Sequence, residues 1–146
     1  MFDIKHYPRI KLGVNFIPKS PICDEYNCIA WSLDIDYMSV GHENLTGIYW
    51  PDNISKIPNI NNYKRMYNSY GFIDASTSDL EEGFKKVAIY VRGTNPKTGI
   101  VVHAAKQIDD IWWSSKMGDN IDGIHHLDAI QGILYGYPRF FMKKPI

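Results

Sequence analysis

Cys28 and His103 are the two residues of this chain whose types and settings point most directly to chemistry. Cys28 follows a polar lead, Asp24-Glu25-Tyr26-Asn27, and opens an apolar helical stretch, Ile29-Ala30-Trp31-Ser32-Leu33. A thiol at a helix start has its thiolate stabilised by the helix N-terminus. His103 interrupts Ile100-Val101-Val102-His103-Ala104-Ala105, a run that reads as a buried strand. A histidine presented from a neighbouring strand can take the thiol proton. Together they predict a cysteine hydrolase or transferase acting on an amide or ester, with Asn27 helping to hold the oxyanion. Peptidase, amidase, deamidase and acyl-transfer chemistry all fit. Non-catalytic binding is the alternative, and so is the toxin or effector domain of a larger secreted bacterial protein.

The base needs a partner on its second ring nitrogen. Ser114, Ser115, His125 and a backbone carbonyl are the candidates. A two-residue turn at Asp109-Asp110 pairs Ile108 with Ile111, which places Ser114 on the face of His103 and turns Ser115 away. Trp50, Trp113 and Lys116 are the candidate substrate contacts. Cys23 and Cys28 read as free thiols, and no spacing of ligands suggests a metal site or any cofactor.

The elements that must position these residues follow from pattern. Residues 1–22, with Pro8, Pro18 and Pro21, read as an extended arm that wraps the domain or gives an edge strand around Ile10–Phe16. Residues 23–146 form one domain. Asp24 to Asn27 supply capping chemistry for a helix over about Cys28–Asp34. Residues 36–58 read as a long ordered loop of the functional kind. Ile60, Tyr63, Tyr67 and Tyr70 predict a helix over 59–70, ended by Gly71. Strands are expected at 86–91, 100–108 and 111–115, a loop at Gly118–Gly123, a helix from His125 to Tyr135, and a last strand at 137–142. The class is α+β, with an N-terminal helix packed on an antiparallel meander.

Composition narrows the partners. The 146 residues carry 16 positive and 16 negative side chains, so no global field favours nucleic acid or an anionic membrane. No apolar run approaches the ~20 residues needed to span a bilayer. The N-terminus lacks the apolar core of a signal peptide, which predicts a cytoplasmic protein or one exported without a cleavable signal. The expected partner is a peptide-like or amide-containing substrate.

Asn27-Cys28-Ile29-Ala30-Trp31, Tyr49-Trp50-Pro51, His103-Ala104-Ala105-Lys106-Gln107, Trp113-Ser114-Ser115-Lys116-Met117-Gly118 and Tyr135-Gly136 follow one another in order. Over roughly residues 26–144 they resemble a bacterial family of small domains similar to the NlpC-type branch of the papain-like cysteine hydrolases. The resemblance implies a papain-like fold, Cys28 as nucleophile and His103 as base. It also implies a polar residue on the next strand to orient the histidine. This chain offers serine where NlpC-type enzymes have His, Asn or Gln, and Ile124 stands where the small family has an acidic neighbour to its histidine.

Overall fold

The structure is a computed structural model that describes residues 4–19, 25–117 and 121–146. Cys23, Asp24 and Gly118 lie outside the described residues. In chain order the elements are β1 (Phe16–Pro18), α1 (Cys28–Ser32), β2 (Ser39–Val40), β3 (Ile48–Tyr49), α2 (Ile60–Ser69), β4 (Ile73–Ala75), β5 (Phe84–Arg92), β6 (Ile100–Gln107), β7 (Trp112–Lys116), β8 (Asp122–His126) and β9 (Tyr137–Pro145). None of the described helices is long and apolar enough to cross a membrane.

The apolar runs Val87–Val91, Ile100–Ala105 and Phe140–Met142 build the centre of the sheet. Among the described residues seven strands lie in the order β1-β8-β7-β6-β5-β9-β4, and each pairing is antiparallel. β2 and β3 form a separate parallel pair inside the long loop. The domain is therefore mostly antiparallel sheet, with α-helix confined to five residues in α1 and ten in α2 among those described. This corrects the expected α+β, papain-like plan. The three-stranded meander is only the middle of a wider sheet, and α1 is a single short turn of helix rather than a dominant layer.

The expected helix over His125–Tyr135 is absent. β8 occupies its first residues, pairing Trp113 with His125 and Phe16 with His125 on its two sides. The Leu127, Ile130 and Leu134 spacing suggested a helix, but the sheet edges of β7 and β1 claim this segment first. Gly123 permits the fit, because a Cβ there would lie 2.7 Å from the Phe16 ring. Beyond β8 the chain runs through turns to Gly132 and Gly136, whose N–H groups donate to each other's carbonyls at 2.8 and 2.7 Å.

α2 forms where its period predicts. Asn59 caps it by accepting from the Asn62 N–H at 2.9 Å, and Ile60, Tyr63, Met66 and Tyr67 are buried. The sheet has two covered faces. α1, α2 and the long loop pack on Val87, Ile89, Val91 and Ala104. The N-terminal arm, through Tyr7 and Ile10, and the segment after β8, through Ile130 and Tyr135, cover Tyr90, Ala105 and Trp113 on the other face.

Candidate functional site

Asn27 builds the site locally. Its side-chain oxygen caps α1 by accepting from the Ala30 N–H at 3.0 Å. The same oxygen accepts from the Val40 N–H at 3.2 Å, while its Nδ2 donates to the Val40 carbonyl at 2.7 Å. One amide thus ties the start of α1 to β2. Its side chain is engaged in positioning, so the expected role at the oxyanion gives way to a structural one. Asn27→Ala should cost about 2 kcal/mol, a lost cap plus two backbone contacts, and lower the melting temperature accordingly. An unchanged melting curve would contradict this.

The clamp places Gly41-His42-Glu43 beside Cys28. Cys28, His42, Glu43, Tyr63, Arg92 and Tyr135 are among the residues lining one cavity of about 400 Å³. The Tyr63 hydroxyl lies 2.7 Å from His42 Nδ1, and a Glu43 carboxylate oxygen lies 3.4 Å from the same nitrogen. Gly41 leaves room for that carboxylate, since a Cβ would come within 2.7 Å of it.

Cys28 is a free, half-buried thiol at the first position of α1. It sits where β6 has parted from β7. These strands pair only through Lys106 with Ser114 and Gln107 with Trp113. Backbone N–H groups of Ala104, Ile29 and Cys28 itself near the sulfur favour the thiolate. Burial outweighs them and Glu43 adds to it, so the thiol is pushed up to about 11. The expected preformed, low-pKa thiolate is corrected accordingly. At rest this is a neutral thiol that needs a base.

His103 does not supply that base in this arrangement. It pairs across the ladder with Tyr90, and directly opposed residues share a face. That face is the one away from α1. A bulge at Val102 shifts the register beside it, so Val91 pairs with Val101. His103 is fully buried, stacks on Tyr135 at 4.0 Å between ring centroids, and meets the edge of Tyr90 at 5.4 Å. Neither ring nitrogen has a hydrogen-bond partner. Burial, reinforced by His125, holds its pKa well below the usual imidazole value. Tyr135 lines the Cys28 cavity; His103 does not.

None of the proposed side-chain partners hydrogen-bonds His103. The Asp109 carboxylate accepts from the N–H groups of Ile111 and Trp112, at 2.9 and 2.8 Å, and makes the turn one residue longer than a two-residue hairpin. A one-residue slip flips every side chain. Ser114 therefore faces α1 and accepts from the Trp31 indole at 2.9 Å. Ser115 turns to the other face and bonds His125 Nε2 at 2.7 Å. His125 Nδ1 donates to the His126 carbonyl at 2.7 Å, so its ring is satisfied as a neutral imidazole.

Trp50, Trp113 and Lys116 are all buried outside the cavity. Trp50 donates to the Ile54 carbonyl at 3.0 Å and packs edge-on to Tyr63. Trp113 belongs to the second core, and Lys116 Nζ lies 5.4 Å from the Tyr26 ring. The cavity residues that sequence reasoning missed are His42, Glu43, Tyr63, Arg92 and Tyr135. For His42 and Glu43 the signal was the expectation that a long ordered loop carries function, and Tyr135 stood in the Tyr135-Gly136 segment of the resemblance. No group of three or more His, Cys, Asp or Glu among the described residues could hold a metal ion.

Residues 18–143 match a family described as a domain of unknown function (DUF7689), and the chain belongs to it. No curated protein and no solved structure matches the chain.

Proposed function

We propose that this DUF7689 protein is a cysteine-dependent hydrolase or acyl transferase acting on an amide or ester, with Cys28 as nucleophile and His42 as its base. The observation that carries this reading is that both side chains line one cavity, with the His42 ring held by the Tyr63 hydroxyl. The chemistry is of the kind the NlpC-type resemblance implied, on a different fold and with a different histidine.

A substrate carbonyl enters above the sulfur. His42 Nε2 takes the thiol proton as the S–C bond forms, and the backbone N–H groups around the sulfur are at hand for the oxyanion. His42 returns the proton to the departing amine or alcohol. Water, or an acceptor amine in the transferase case, then cleaves the thioester. A base acting during attack suits a resting thiol whose own pKa is about 11.

That raised value also favours a second reading, in which the cavity binds a ligand without turnover. One experiment separates the two. Incubation with p-nitrophenyl acetate should leave an acetyl group on Cys28, removable by hydroxylamine and absent from Cys28→Ser. A protein that never acquires this thioester would support binding alone.

A further inference from the structure

The Cys28 cavity has a neighbour across Arg92. Arg92 and Leu134 also line a second cavity of about 290 Å³, whose other walls are Lys5, His6, Pro8 and Ile133. The two cavities adjoin at those two residues. They differ in charge. Glu43 lines the Cys28 cavity. Among the described residues the far cavity is lined by Arg92, Lys5, His6 and apolar side chains.

The Arg92 guanidinium is held in place. Its Nε and Nη2 both donate to the Leu134 carbonyl, at 3.1 and 2.5 Å. The remaining donors have no carboxylate partner, because no salt bridge to Arg92 forms among the described residues. An oriented guanidinium with free donors is the group best suited to a carboxylate. Ile133, 96 % exposed, offers apolar surface that a ligand stem would cover.

We propose that this second cavity is a substrate subsite for a carboxylate on a short apolar stem. The substrate of Cys28 is then an amide or ester whose acyl portion ends in an anion. This rests on the reading of Cys28 as the nucleophile. Glu43 repels an anion held close to the sulfur, so the adjoining cavities select a negative charge only at a distance from the reacting carbonyl.

The test is a matched pair of alkylating probes, N-iodoacetyl-aminohexanoate and its uncharged primary amide, with labelling of Cys28 followed by peptide mass mapping at low ionic strength. The carboxylate probe should label Cys28 about tenfold faster, the worth of one charge-assisted hydrogen bond. The ratio of the two rates should fall to about one in Arg92→Gln, recover in part in Arg92→Lys, and fall on adding salt. Equal labelling by the two probes in the unmodified protein overturns the subsite while leaving Cys28 reactive. A preference that survives Arg92→Gln overturns it as well. Failure of both probes to label Cys28 overturns the nucleophile reading and the subsite together.

Discussion

His42→Ala should slow acylation of Cys28 near neutral pH by about 10²- to 10⁴-fold, the usual contribution of a positioned general base. Tyr63→Phe, which removes the hydroxyl 2.7 Å from His42 Nδ1, should cost less, because the ring stays in the cavity and loses only its orientation. His103→Leu should leave the acylation rate within about threefold, since that ring faces the other side of the sheet. Rates of p-nitrophenolate release, read with melting curves to exclude misfolding, give the comparison. A large loss in His103→Leu with an unchanged His42→Ala would reverse the assignment of the base.

The second large effect is loss of stability in acid. His103 and His125 are both fully buried and neutral. Burial lowers His125 from the ordinary imidazole value of 6.5 to about 4, and lowers His103 in the same direction. The unfolded chain therefore binds protons near pH 6.5 that the folded chain refuses. The stability these residues contribute is fully present above pH about 6.5 and drains away as pH falls towards about 4. For His125 alone a shift of this size corresponds to about 3 kcal/mol, with His103 adding to it. Chemical denaturation at pH 7 and pH 5 should show a clear fall in the unfolding free energy. His103→Leu removes two unpartnered buried nitrogens, so it should retain stability at pH 7 and lose less of it at pH 5. A flat stability between pH 7 and pH 5 would mean that water or charge reaches these rings.

What the sequence revealed was local. Asn27 before an apolar turn announced a capped helix start, and Cys28 stands there. The period of Ile60, Tyr63 and Tyr67 announced α2, because helix period and cap are written within a few residues. The base was not legible in this way. His42 reaches the cavity because Asn27 binds Val40, thirteen residues on, and no local pattern encodes that contact. The direction of His103 depends on a bulge at Val102 and on which strand pairs with β6. The choice between Ser114 and Ser115 turned on one extra residue in the turn at Asp109. A strand's faces alternate with every residue, so a single insertion reverses the outcome. The helix expected after His125 failed for a related reason. Apolar spacing compatible with a helix was overridden by the unpaired edges of β1 and β7, a tertiary demand that propensity does not contain.

The pH dependence of Cys28 acylation by p-nitrophenyl acetate tests the central claim most directly. With a base in the cavity, the rate should rise and level off well short of the thiol's own value of about 11, and His42→Ala should abolish the plateau. A rate that climbs with hydroxide all the way to about pH 11, identically in the unmodified protein and in His42→Ala, would contradict the account. Cys28 would then be a buried thiol without a base.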